Sequence, residues 1–344
     1  MRKMTKVNNL KRLFIIGLLV CTLLLGFILL SLICIISLPF IYDQIYGEKI
    51  IENTIIEVIG NESNPNEIAL RVYLWEKSYF KSPYDYYSNT PKFLRKFGIY
   101  KIDGEYKVFI RHAPVSWIIH SRLANCEEYS RVFVYLLNKK GIKARFVHAP
   151  GEDHAWAEYY YNGIKIVFDP SNDGPVENTK KFAEGKHWSY VESVNIFNLN
   201  DRIDVSDEYI ERGKLIVNVT KNGNALKDVT VIIYSTYLMK KDPKRYPAPR
   251  KVIWKVSNEK GIAEFYLGEN EYVVDVQKCY LGIVCLKVQK DAKVSVDSDA
   301  VLHVDFSEAR ISTGPFFWVF IAAVCLITLL LVQKKIHNKG RNKI

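Results

Sequence analysis

Hydrophobic positions recur with two different periods along this chain, and the switch from one to the other marks its elements. Between residues 126 and 140 apolar side chains fall at Tyr129, Val132, Phe133, Leu136 and Leu137, the i, i+3, i+4, i+7 spacing of a helix with one buried face. Asn125 stands ahead of it as an N-cap, Glu127 and Glu128 fill the first turn, lysines fill the last, and Gly141 ends it. Residues 142–148 then alternate with a period near two, which predicts an extended strand. A hairpin follows, with strands at 154–161 and 164–169 joined by Asn162-Gly163, a pair suited to a two-residue type I′ turn. Such a turn sets Tyr161 opposite Ile164, so facing positions sum to 325 and Trp156 faces Asp169.

The same patterning divides the rest of the chain. A helical run begins at Asn66, a Tyr- and Pro-rich stretch at 82–91 has no period and reads as a loop, and residues 173–207 are polar and irregular. From about Gly213 short alternating segments take over, at 214–219, 229–234, 263–267, 272–276 and 300–306, separated by turns such as Asn222-Gly223 and Lys260-Gly261. Their spacing predicts an all-β immunoglobulin-like sandwich over 213–307. Two stretches have no period because nearly everything in them is apolar. Residues 13–42 and 313–333 carry no charge, and each is long enough to span a bilayer as a helix. The first is too long for a signal-peptide core and no small-x-small site follows it, so an uncleaved anchor is expected.

Candidate chemistry falls on the helix and the hairpin. Cys126 opens the helix, where the dipole and the free backbone N–H groups favour a thiolate and can also bind an oxyanion. The neighbouring Glu127 and Glu128 oppose that thiolate. His154 is two residues from Trp156 on one strand, which makes it a diagonal neighbour of Asp169 in the predicted register. A carboxylate at that reach can hold an imidazole in one tautomer while its other nitrogen serves a thiol. Each residue has a plainer reading, since single cysteines and histidines are more often structural than catalytic. Taken together, Cys126, His154 and Asp169 favour nucleophile, base and orienter. His112, His120, His148 and His187 are kept as structural, because no predicted turn sets them against a carboxylate. Trp117 and Trp156 are candidates for an oxyanion donor or groove wall, against a plainer reading as buried aromatics.

The runs Asn125-Cys126-Glu127-Glu128-Tyr129-Ser130, Gly141-Ile142-Lys143-Ala144-Arg145, Asp153-His154-Ala155-Trp156-Ala157-Glu158 and Asp169-Pro170-Ser171 resemble the core of the transglutaminase-like superfamily, a papain-like group. The resemblance covers about residues 66–200 and is most specific between 122 and 171. It implies a Cys126 nucleophile, a His154 general base and an Asp169 orienter. Members often carry glycine two residues before the cysteine, where this chain has Ala124. The second domain resembles, less closely, carboxypeptidase-regulatory-like and collagen-adhesin B-type modules.

Charge and cysteines bear on location. The formal net charge of +11 divides into +5 within residues 1–12, +5 within residues 334–344 and only +1 between them. A near-neutral domain between basic tails is not a nucleic-acid binder. The positive-inside rule sets both tails in the cytoplasm and residues 43–312 outside. Asn61 and Asn218 then fall in glycosylation-type acceptor triplets that matter only in an external domain. Cys21, Cys34 and Cys325 lie in the apolar stretches, leaving Cys126, Cys279 and Cys285 outside them. Residues 271–288 read as two strands around a turn, across which Cys279 and Cys285 form a bridge or remain two buried thiols. The basic loop 240–251 reads as a solvated insertion.

The expected fold is thus α+β: a papain-like core in which a helix carries the cysteine and an antiparallel sheet carries histidine and aspartate, followed by the β-sandwich, with two flanking transmembrane helices. The expected order is basic tail 1–12, span 13–42, stalk 43–65, catalytic domain 66–207, sandwich 213–307, span 313–333 and basic tail 334–344. No phosphate loop or metal-ligand spacing is present, so no cofactor and no metal are expected. The expected function is a membrane-anchored extracytoplasmic thiol hydrolase acting on protein or peptide amides. Alternatives are a non-catalytic surface or envelope-scaffold module, a cross-linking transglutaminase, or a peptide:N-glycanase-like deglycosylase.

Overall fold

The computed structural model describes residues 2–170, 174–322, 324, 327 and 328; up to residue 32 it describes the side chains of residues 17, 20, 26, 27, 30 and 31 alone. Two compact units divide the chain, Met1–Phe146 with Trp156–Pro175, and Val147–Ala155 with Val176–Ile344.

The first unit begins with a long helix, α1 (Arg2–Val58), which takes in residues 43–58 of the stalk expected at 43–65. Next is α2 (Pro65–Tyr79), capped by Asn64, whose side-chain oxygen accepts from the Asn66 amide at 2.9 Å, with Pro65 in the first turn where its missing N–H costs nothing. It buries Ile68, Ala69, Val72, Tyr73 and Glu76, one face at i, i+4, i+8 spacing. A short α3 (Lys92–Arg95) leads to a hairpin, β1 (Ile99–Ile102) and β2 (Glu105–Val108), which turns at Asp103-Gly104, both at positive φ. Asp-Gly is a strong hairpin signal, but its strands hold Lys101, Glu105 and Lys107 and show little apolar alternation. After α4 (Val115–Ser121) comes α5 (Cys126–Lys139). The predicted stripe Val132, Phe133, Leu136 and Leu137 is buried, and so are Ser130, Arg131 and Val134, so α5 is covered on more sides than a surface helix.

Three strands follow, β3 (Ala144–Ala149), β4 (His154–Tyr161) and β5 (Ile164–Phe168), in the order β5-β4-β3. Residues Ala155 through Tyr159 of β4 are buried in succession, without the alternation of a strand wet on one face. Phe168 ties the helices to this hairpin. Its ring stacks on Phe133 of α5 at 4.7 Å and meets Tyr73 of α2 edge-on at 5.3 Å.

In the second unit, α6 (Thr179–Ala183), β6 (Glu192–Asn195) and β7 (Asn198–Asp204) occupy the stretch that reads as irregular. Residues Asn198, Asn200, Asp201, Arg202 and Asp204 are exposed, which leaves no hydrophobic period to find. Strand β6 neighbours β3, whose last residues belong to this unit. The sandwich is built from β8 (Gly213–Lys221), β9 (Asn224–Ala225), β10 (Thr230–Ser235), α7 (Tyr237–Lys241), β11 (Arg250–Val256), β12 (Ile262–Leu267), β13 (Asn270–Tyr280), β14 (Val284–Val294), β15 (Ala300–Asp305) and β16 (Arg310–Thr313). One sheet has the order β11-β10-β13-β14-β16; the other is β12-β8-β15 with β9 on β8, and β15 runs parallel to β8. Alternate residues of β8 (Leu215, Val217, Val219), of β10 (Val231, Ile233) and of β13 (Val274, Val276) form one buried cluster with Phe265. This is the inward half of the period-two pattern. Strands β11 and β16 lie at sheet edges and hold Arg250, Lys251, Lys255 and Arg310, the basic residues by which edges resist further pairing. Arg250 and Lys251 make the start of β11 read as part of the solvated basic loop 240–251.

Cys279 and Cys285 face one another in the β13–β14 register and are joined as a disulfide. Among the described residues no helix is both long and apolar enough to cross a membrane. The stretches expected as spans, 13–42 and 313–333, run into residues outside those described. The fold is therefore a mixed α+β one with several sheets, and the flanking spans find no support in it.

Candidate active site

Cys126 is the first residue of α5, a half-buried free thiol. The head of this helix is a capping box. The Asn125 side-chain oxygen accepts from the Glu127 amide at 2.9 Å and from the Glu128 amide at 3.4 Å, while Glu128 Oε2 accepts from the Asn125 amide at 3.2 Å. With those donors occupied, the amide of Cys126 is left at the head of the helix, because a first-turn N–H has no intrahelical acceptor. Ser130 Oγ donates to the Cys126 carbonyl at 2.7 Å, one turn further on.

The acidic neighbours of Cys126 oppose a thiolate less than their formal charges imply. Glu128 is fully buried, and burial, then the charge of Glu127, pushes its carboxyl up to about 7 against the pull of the Asn125 amide and Arg131. Glu127 Oε1 lies 2.6 Å from His112 Nδ1, and that contact raises the His112 pKa. Arg131 stands one turn beyond Glu127 at 4.0 Å, itself buried. His112 is thus a residue of this site that sequence reasoning set aside, since it reaches Glu127 from a turn at φ 59° that no periodicity announces. His148 also faces a carboxylate, Glu192, at 3.4 Å, and Arg202 holds the same carboxylate at 2.6 Å. His120 Nδ1 pairs with the Tyr42 hydroxyl at 2.8 Å.

The hairpin has the register expected of its turn. Tyr161 faces Ile164 and Ala157 faces Phe168, each pair summing to 325, with Asn162 at φ 48° and Gly163 at φ 76°. Asp169 follows β5 and is fully buried; its carbonyl accepts from the Tyr73 hydroxyl at 3.4 Å. Trp156 is fully buried in β4, and His154, half-buried, opens the same strand two residues earlier. Cys126 and Asp169 belong to the first unit and His154 to the second. Trp117 of α4 is buried edge-on to Tyr42 at 5.5 Å, and its ring N–H has no hydrogen-bond partner among the described residues. A small cleft beside α5 is lined by Tyr73, Glu76, Tyr129, Ser130, Phe168 and Pro170 among others. Burial raises the Glu76 carboxyl within it. Among the described residues no group of three His, Cys, Asp or Glu side chains is placed to hold a metal ion.

A helix headed by a free cysteine is followed in the chain by an antiparallel hairpin whose first strand opens with His154 and whose second is followed by Asp169. Residues 53–170 match the transglutaminase-like superfamily. Over 145 residues, 40% of its length, the chain is 29% identical to a peptide-N(4)-(N-acetyl-beta-glucosaminyl)asparagine amidase of Kluyveromyces lactis. The chain spans 37% of that relative's length. Among solved structures, a candidate cysteine protease from Cytophaga hutchinsonii is 10% identical, with a TM-score of 0.26, over 78% of this chain and 57% of that one. The SpaB basal pilin of Lactobacillus rhamnosus GG is 12% identical, with a TM-score of 0.19, over 27% of this chain and 96% of that one. Both likenesses are too slight to characterise the fold.

Two measurements follow from the head of α5. Replacing the cap, Asn125→Ala, is expected to cost about 1 kcal/mol; chemical denaturation showing no loss would mean that the box carries no stability. A carboxyl whose folded pKa of about 7 lies above the ordinary 4.5 stabilises the fold while it stays protonated. The contribution of Glu128 is therefore complete below about pH 4.5 and is lost as pH rises through about 7. Within that window stability should fall by up to about 1.4 kcal/mol per pH unit. Thermal melts of Glu128→Gln across the same range should show a shallower slope, the remainder coming from Glu152, whose carboxyl is likewise pushed up to about 7, and an unchanged slope would mean that Glu128 contributes none of it.

Proposed function

We propose that this protein is a thiol-dependent hydrolase of the transglutaminase-like superfamily, acting on amide bonds of proteins or peptides with Cys126 as nucleophile, His154 as general base and Asp169 as orienter of His154. The observation that carries this reading is Cys126 itself: a free, half-buried thiol at the capped head of a helix whose neighbouring acids are buried, as Glu128 is, or paired, as Glu127 is with His112. The hairpin register supports the other two roles, since Ala157 faces Phe168, the residue before buried Asp169, and lies three residues along the strand from His154. The superfamily match over 53–170 spans all three residues.

In this mechanism Cys126 Sγ attacks the amide carbonyl carbon as thiolate, and His154 takes the thiol proton and returns it to the departing amine. The tetrahedral oxyanion is held by helix N-terminal amides, that of Cys126 included. Water then cleaves the thioester, with His154 again acting as base, and releases the acid. Hydrolysis is preferred over cross-linking because a lysine acceptor needs a second site of its own. The deglycosylase reading rests on the Kluyveromyces lactis amidase alone, through a shared stretch of 145 residues.

The deciding experiment is alkylation of Cys126 by iodoacetamide across pH, in wild type and His154→Ala. An apparent pKa well below the ordinary ~8.5, lost in His154→Ala, is expected. An ordinary thiol titration in both proteins would end the enzyme reading and leave a non-catalytic surface module.

We also propose that the protein is held in a membrane by residues 13–42 and 313–333, with residues 43–312 outside the cytoplasm. The charge-free stretches and the +5 basic tails support this. The Cys279–Cys285 disulfide fits an oxidising compartment. Protease added to intact cells should cleave between residues 43 and 312 and spare epitopes on both tails; protection of that region would reverse the topology.

A further inference from the structure

The loop that leads into His154 is not held by the hairpin alone. Residues Pro150–Glu152 form a short 3-10 turn, Asp153 follows in the left-handed region at φ 52°, and β4 begins at His154. This loop and the β-sandwich belong to the same compact unit.

Three kinds of contact join them. The Glu152 carboxylate is buried and accepts from Ser189 Oγ at 2.6 Å, from the Ser189 amide at 3.2 Å and from Ser235 Oγ at the end of β10 at 3.2 Å. Arg250, the first residue of β11, donates from Nη2 to Asp153 Oδ1 at 2.5 Å. Gly151 lets the backbone press against the sheet, because a Cβ there would lie 2.9 Å from Val252 Cγ2 and 3.2 Å from Ser235 Cβ. A non-glycine residue in the left-handed region depends on surroundings that impose it, even an aspartate, which visits that region more readily than most. At Asp153 the surroundings that do so are Arg250 on one side and the buried Glu152 anchor on the other.

We propose that Glu152 and Arg250 are positioning residues for His154: the β-sandwich clamps the loop from Gly151 to Asp153 and so sets the direction in which His154 enters β4. The inference rests on His154 being the general base. It makes the sandwich a part of the catalytic apparatus rather than a spacer. It also accounts for a buried carboxyl whose desolvation pushes its pKa up to about 7 and which a spacer would have no reason to keep.

The test uses the full chain and the alkylation of Cys126 by iodoacetamide at pH 7. Arg250→Ala and Asp153→Ala should each slow alkylation about tenfold, since a small misplacement of a reacting group costs a factor of this size or more. The double variant should be no slower than either single one, because both remove the same bond. Glu152→Ala should slow it similarly, whereas Glu152→Gln, which keeps an acceptor oxygen in the buried site, should restore most of the rate. Slow alkylation in Glu152→Gln equal to that of Glu152→Ala, or additive losses in the Arg250 and Asp153 pair, would overturn the clamp. Wild-type rates in all five variants, with His154→Ala still slow, would overturn it too while leaving the triad standing. A His154→Ala rate equal to wild type would remove the triad and the clamp together. Arg250 and Asp153 are partly exposed, so their substitution leaves the core of the sandwich intact.

Discussion

A two-residue turn with both residues at positive φ admits one pairing of the strands it joins, and in this protein that constraint reaches far beyond Asn162 and Gly163. Because side chains alternate along a strand, a slip of one residue would exchange the two faces of β4 and β5. Ala157 would no longer face Phe168, and Phe168 would lose its place between Phe133 of α5 and Tyr73 of α2. The register thereby ties the cysteine-bearing helix to the hairpin through one aromatic side chain. It also carries Asp169, which follows Phe168, into a fully buried position.

Burial of acids is the second theme. Glu128 beside Cys126 and Glu152 ahead of His154 both sit in the interior with their carboxyls pushed up to about 7, while Glu76 is raised by burial in the cleft along α5. Each is an expensive group to place inside a protein. Glu128 closes a capping box around Asn125, the residue before Cys126; Glu152 anchors the loop ahead of His154. In both cases the carboxyl holds the backbone next to a residue of the proposed triad. Near neutral pH these groups also contribute less negative charge than the sequence counts, which matters most for a thiolate next to Glu127 and Glu128. The remaining acid there, Glu127, is matched by His112 and Arg131.

The division into compact units does not follow the order of the chain. Residues Val147–Ala155 belong with the β-sandwich although superfamily residues 53–170 surround them in sequence. A short loop is claimed by whichever element supplies its hydrogen bonds, and for Glu152 and Asp153 these are Ser189, Ser235 and Arg250. The sandwich is stapled at its other end by the Cys279–Cys285 disulfide, so its β13–β14 pair cannot slip in register.

Local chemistry made much of this legible beforehand. Asn125 and Glu128 announce the head of α5, the stripe from Val132 to Leu137 its buried face, Asn162-Gly163 the register, and the alternation in β8, β10 and β13 the core of the sandwich. These features depend on neighbours a few residues apart, whose periodicity or turn chemistry is written in the chain itself. Strands β1, β2, β6, β7, β11 and β16 were not legible, because they are short or lie at edges, and the residues that suit such places are polar. Nor did any pattern show His112 against Glu127, Arg250 against Asp153, or Glu152 beneath two serines. Partners 15, 97, 37 and 83 residues apart, as these are, meet only when the fold brings them together. The sequence by itself thus determined the identity and local setting of Cys126, His154 and Asp169. The tertiary structure decided which charges around them are buried, paired or neutral, because desolvation depends on what covers a side chain and not on what precedes it.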